Sequence, residues 1–199
     1  MIRYVFLAVL GLTGPLWADT LPPALPALYD VAGVAADDHL NVRRLPDPGS
    51  DVIGRLDPDQ TRVEVTALSL AGDWARINTG ETAGWVALRF LAPHDGVLDA
   101  TSLTCYGTEP FWSMNFSTDD TLLMSTPERE QSFPIDRPVA VDAIGEQGFV
   151  GLRFDWMIDG TPATSHILPG QCSDGMSDRM FGLHYVDTAG PYLGCCSLN

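Results

Sequence analysis

Helical periodicity of useful length is absent from this chain, and that absence leaves few folds open to it. In its place stand short runs that alternate apolar and polar residues or are rich in β-branched ones. Gly, Pro, Asp and Ser punctuate them. In the first half they cover residues 40–43, 52–56, 62–68, 74–78 and 83–86. In the second half they cover residues 112–116, 121–125, 139–144, 149–154, 163–168 and 181–186, with a last run near 192–195. Many short strands joined by tight turns predict an all-β chain. The polar stretch HDGVLDA at 94–100 divides a first module, 27–93, from a second, 101–199. The expected architecture is a small barrel followed by a second antiparallel barrel or sandwich.

The first eighteen residues read as a processing signal rather than as structure. Arg3 gives a short positive start, residues 5–12 are apolar, Gly14-Pro15 breaks the run, and Ala18 offers a small residue at a cut site. The apolar run is too short to span a bilayer. No Cys follows the cut to receive a lipid. Residues 19–26, DTLPPALP, then form an extended Pro-rich tether. The expected location is the periplasm or the exterior of a bacterial cell, without a transmembrane segment in the mature chain.

Cysteine usage agrees with export. Cys105, Cys172, Cys195 and Cys196 all fall in the second module, and an even count in an exported chain predicts disulfides. A bridge between the adjacent Cys195 and Cys196 would need a strained ring. Each is therefore expected to bond Cys105 or Cys172, with both such pairings open. Paired CxxC zinc ligands are absent.

All eleven basic residues are Arg, and the formal charge is −15. Loss of Arg3 with the leader makes the remainder more acidic still. Such a chain repels phosphate backbones and anionic lipid, which excludes nucleic acid as an expected partner. The apolar content is ample for packed cores.

Residues 40–91 run LNVRRLPDPGSDVIGRL, TRVEVTALSLAGDWARI and ETAGWVALRFL. In order they give an apolar-Asn-Val-Arg opening, a Pro/Gly turn, Val-Ile-Gly, an alternating Val-Glu-Val, Trp-Ala-Arg-Ile and Gly-Trp-Val. This stretch resembles a bacterial SH3-like domain. The resemblance implies a small twisted barrel serving as a binding or targeting module, often for cell-wall material. Strand alternation places Ala75 and Ile77 inward and Trp74, Arg76 and Asn78 outward. Trp74, Arg76 and Asn78 are therefore the candidate ligand contacts, with Arg suited to the carboxylates of peptidoglycan stem peptides. Trp85, after Gly84, reads as core, and Glu64 reads as facing water.

In the second module, Gly107-Thr-Glu-Pro-Phe-Trp112 follows Cys105, Cys172-Ser-Asp-Gly-Met-Ser-Asp178 precedes the last strands, and Gly194-Cys-Cys196 closes the chain. Together these are similar to a family of exported bacterial proteins, often lipoproteins, that share GTEPFW and CSDGMSD motifs. That family brings no established chemistry. Glu109 could be a buried acid or a solvated turn residue; a structural role is favoured. Asp174 and Asp178 flank Gly175, but they lack the DxDxDG pattern of a calcium loop. An Asx-type turn pinned by Cys172 is expected instead, with no metal and no cofactor. No GxSxG, HExxH or phosphate loop is present.

The expected function is non-enzymatic: a cell-envelope binding protein whose first module holds peptidoglycan or a protein partner. An acidic inhibitor of a basic wall-degrading enzyme such as lysozyme, presenting Asp174 and Asp178, is the alternative. A hydrolase using Glu109 is a further one.

Overall fold

The computed structural model describes residues 24–95, 101, 103–135, 139–140, 151–158, 160–188, 190 and 192–198. The expected leader, most of the tether, the boundary at 96–100 and the expected strand residues 141–144 lie outside the described residues. The chain is all-β, with antiparallel sheets and two disulfides. Among the described residues, no helix is long and apolar enough to cross a membrane.

The first module contains Ala27–Val31 (β1), Leu40–Arg43 (β2), Val52–Leu56 (β3), Val63–Val65 (β4), Ala67–Leu68 (β5), Trp74–Thr79 (β6), Thr82–Ala87 (β7) and Leu91–Pro93 (β8). They form a three-stranded sheet, β4-β1-β8, and a five-stranded sheet, β3-β2-β7-β6-β5. Both sheets turn their apolar alternates onto one core that includes Tyr29, Val42, Val65, Ala75, Ile77 and Val86. The two-residue turn between β6 and β7 needs Gly80, whose φ is +56°. β1 and β8 are strands that the sequence pattern did not mark: each is short, and Asp30 and Pro93 blur the alternation.

The second module contains Leu103–Thr108 (β9), Phe111–Phe116 (β10), Thr121–Ser125 (β11), Glu130–Pro134 (β12), Val139–Ala140 (β13), Leu152–Ile158 (β14), Thr161–Cys172 (β15), Phe181–Asp187 (β16) and Leu193–Leu198 (β17). One antiparallel sheet runs β12-β11-β10-β9-β17-β16-β15-β14-β13. The pairing of β17 with β9 joins two meanders, and the sheet curls into a nearly closed barrel. Of the two expected architectures, barrel and sandwich, the barrel is the one formed. β15 is longer than its sequence pattern because Pro169 is accommodated beside an irregularity in register between Pro169 and Cys172.

Register explains the module's motifs. Trp112 of β10 pairs Gly107 of β9, and Tyr185 of β16 pairs Gly194 of β17. The indole lies across both glycines and meets the Tyr185 ring at 4.9 Å. A Cβ at Gly107 would overlap the indole, and one at Gly194 would overlap the Tyr106 carbonyl. The glycines of GTEPFW and GCC thus clear the space that Trp112 fills. Beside it, Trp156 Nε1 donates to Ser165 Oγ at 2.9 Å, Ser165 Oγ meets Tyr185 OH at 2.8 Å, and that hydroxyl donates to Asp187 Oδ2 at 3.4 Å. This chain satisfies polar groups inside the barrel, where burial pushes the Tyr185 phenol up.

Gly194→Ala should destabilise the chain by about 3 kcal/mol or more, because the clash is with backbone that cannot rotate away. Chemical denaturation of the oxidised protein measures this. Wild-type stability in that variant would refute the close-packed account of the motif.

Candidate functional site

Along β6, Ala75 and Ile77 enter the core, and Trp74, Arg76 and Asn78 share the opposite face. What covers that face changes from residue to residue. Trp74 is only 9% exposed and walls a groove with Arg43, Arg89 and Phe90. Arg76 Nε donates to Thr66 Oγ1 at 3.1 Å. With the Gln171 amide oriented to match its donors, its oxygen accepts from both terminal nitrogens of Arg76 at 3.2 Å. Asn78 is taken up by the second module: Nδ2 donates to the Met180 carbonyl at 3.2 Å, and Oδ1 accepts from the Met180 N–H at 2.9 Å. The three candidates do not form one ligand surface. Alternation fixed their side of the sheet, but the barrel, not solvent, covers Asn78 and part of Arg76.

Trp85 also departs from the sequence reading. It pairs Arg76 and Arg43 on this outer face and is partly exposed rather than core. Gly84 is the buried one, because a Cβ there would press on Val42 and the Arg43 carbonyl.

The first-module groove has a cavity volume of about 520 Å³. Arg89 lies with its Cζ 4.6 Å from the centre of the Phe90 ring, and Arg43 Nη1 donates to the Ser50 carbonyl at 2.7 Å. Asp38 and Asp73 supply negative charge along the same groove. Sequence reasoning found Trp74 but missed Arg43, Arg89 and Phe90. They come from β2 and the 3₁₀ turn Leu88–Phe90, and only folding brings them beside β6.

The junction between the modules is built from backbone pairing. Asp178 N donates to the Glu81 carbonyl at 2.9 Å, and Ala83 N donates to the Asp178 carbonyl at 3.0 Å. The CSDGMSD segment therefore adds an isolated parallel bridge to β7. Pro26 packs over Gly182, and Leu28 of β1 joins the barrel's core. Glu64 does not face water. Its Oε1 accepts from the Leu198 N–H at 3.0 Å. Burial, opposed by that bond and by Arg179, lifts its carboxyl from 4.5 to about 7.

Glu109 sits exposed in the turn between β9 and β10, not in a buried pocket. Phe111 and Trp112 face opposite sides as expected, one 53% exposed and the other 4%. The Asp174 carboxylate accepts from the Met176 and Ser177 N–H groups at 3.0 and 2.9 Å and from the Ser177 hydroxyl at 2.8 Å. Burial would raise this acid, but the three donors outweigh it and hold the carboxyl below its ordinary value. This is the Asx-type turn the sequence suggested. Asp178 acts through its backbone. Among the described residues, no group of three or more His, Cys, Asp or Glu is placed to hold a metal ion. Cys105 bonds Cys196 and Cys172 bonds Cys195, one of the two pairings left open.

Glu64 makes the fold pH-dependent. Its folded value lies above its unfolded one, so its stabilising contribution is full at acid pH and is lost as pH rises through about 7. From about pH 5 to about pH 8 the wild type should lose on the order of 2 kcal/mol through this group. Glu64→Gln, which keeps an acceptor for Leu198, should flatten the change. Melting curves across that range measure it, and parallel profiles for the two proteins would reject the assignment.

No family model, curated protein or solved structure matches the chain.

Proposed function

We propose that this chain is a non-enzymatic binding protein of the bacterial cell envelope, with the first-module groove holding the peptide part of peptidoglycan. The leader-like start of the sequence and the two disulfides support a place outside the cytoplasm. One observation carries the reading. The groove sets an aromatic wall of Trp74 and Phe90 beside the guanidinium of Arg89, with Asp38 and Asp73 nearby. Stem peptides bear both free carboxylates and amines, so a groove with both signs of charge suits them. Arg89 is exposed, lies over Phe90, and has no hydrogen bond or ion pair to the described residues. Stacked in that way, its planar fork can still meet a carboxylate edge-on.

The competing readings have less support. Of the two acids an inhibitor would present, the Asp174 carboxylate is held by three donors, and exposed Asp178 is fixed through its backbone to Glu81 and Ala83. A hydrolase using Glu109 would need a sheltered acid with a partner, and Glu109 is exposed.

Sedimentation with purified, protein-free sacculi tests the proposal. Arg89→Glu should reduce binding by roughly tenfold or more, the worth of a charge-assisted bond, without lowering the melting temperature. Trp74→Ala is the weaker probe, because a residue this buried also contributes to stability. Equal sedimentation of wild type and Arg89→Glu overturns the groove assignment. Failure of protein-free sacculi to capture the wild type points instead to a protein partner.

A further inference from the structure

The barrel carries a second groove, on its outer face, that the reading above does not use. Its floor is β9 and β10, with Tyr106, Phe111 and Ser113 pointing outward. Its wall is the segment that carries Asp174 and Arg179. The cavity volume is about 410 Å³, within the range of small-ligand sites. Phe111 is 53% exposed on its rim.

Arg179 is the informative residue. Its Cζ lies 4.8 Å from the centre of the Phe181 ring, which in turn meets the Tyr106 ring at 6.2 Å. Its Nε is buried and has no hydrogen-bond partner among the described residues. The guanidinium forms no ion pair or hydrogen bond with the described residues, although Glu64 and Asp174 lie within electrostatic reach. Asp174 is already occupied by its own turn. Those carboxylates offset its charge and Nε is sealed from solvent, so the open donors are the terminal nitrogens, which have no protein partner among the described residues and which a carboxylate best completes. The hydroxyls of Tyr106 and Ser113 also make no hydrogen bond to the described residues. They leave a donor and an acceptor beside the apolar ring of Phe111.

We propose that this groove binds a free peptide C-terminus whose last residue is apolar. The carboxylate sits on Arg179, the side chain lies along Phe111 and Tyr106, and the last amide faces Ser113. A simple fatty acid has no amide to meet Ser113, which is why the peptide is the better fit.

Titration of the full oxidised chain by two-dimensional NMR tests this with N-acetylphenylalanine, its uncharged amide, and N-acetylglycine. The acid should shift the resonances of Tyr106, Phe111, Ser113 and Arg179. The amide and the glycine derivative should bind roughly tenfold more weakly or less, since each lacks one of the two contacts. Arg179→Gln should abolish the preference for acid over amide. Because Arg179 also lies near the module junction, Phe111→Ala serves as a second variant. Its ring is largely solvated, and its loss should weaken the acid while leaving N-acetylglycine unchanged. Equal binding of acid and amide, a preference that survives Arg179→Gln, or no shift in the groove would each overturn the proposal.

Discussion

Strand alternation at Cys195 and Cys196 is the constraint on which the barrel depends. Neighbouring residues of a strand point to opposite faces, so the two thiols cannot share a partner or each other. Cys196 turns inward and bonds Cys105 across the β9–β17 seam, within the main core. Cys195 turns outward and bonds Cys172 at the end of β15, under Phe181 and Tyr106. One strand is thereby fastened on both of its faces. The bridges span sequence separations of 91 and 23 residues. In the chain-entropy account such loops stabilise by about 3–5 kcal/mol each. The seam they hold is where the two meanders meet, and its geometry places Gly194 beside Gly107 beneath the Trp112 indole.

From that seam the influence reaches the first module. The last pairing residue of β17, Leu198, donates its N–H to Glu64, and the segment between Cys172 and β16 supplies the bridge to β7. Asn78 adds a pair of side-chain bonds that imitate a strand partner for Met180. The junction thus consists of directional bonds to backbone rather than of a broad apolar contact alone, and such bonds fix orientation closely. The outward disulfide and the Asx turn at Asp174 hold that segment in shape. The motif that looked like a candidate acidic site is chiefly the connector between modules.

Much of this was legible in the sequence, and each departure has its own physical reason. The strand runs, the all-β class, the impossibility of a Cys195–Cys196 bridge, the opposed faces of Phe111 and Trp112, and the turn at Asp174 all follow from local rules. Alternation correctly put Trp74, Arg76, Asn78 and Glu64 on outward faces of their strands. It carries no information about a second module lying on those faces, and so it cannot show that the barrel covers Asn78 and Glu64. Its neighbours Gly84 and Val86 point Trp85 inward by pattern, whereas Gly84 itself is the residue that the core requires. β12 escaped notice because its sequence, EQSFP, is mostly polar, and only Phe133 faces the core.

The grooves show how an acidic chain can keep guanidinium donors open on its surface. Its Arg residues sit in different local settings. Arg153 pairs Asp155, and Arg76 is held by Thr66 and Gln171. Arg89 and Arg179 instead lie over Phe90 and Phe181, one in each groove. Stacking on a ring orients a guanidinium without consuming its hydrogen-bond donors, whereas an ion pair consumes them. Net negative charge repels anions at long range, but screening confines that effect to roughly a Debye length of about 8 Å at physiological salt. Inside a groove the nearest oriented donors decide. The two proposed sites share this physics: an Arg held over a Phe ring keeps its donors open beside an apolar surface, which suits a carboxylate carried on an apolar body better than a bare anion.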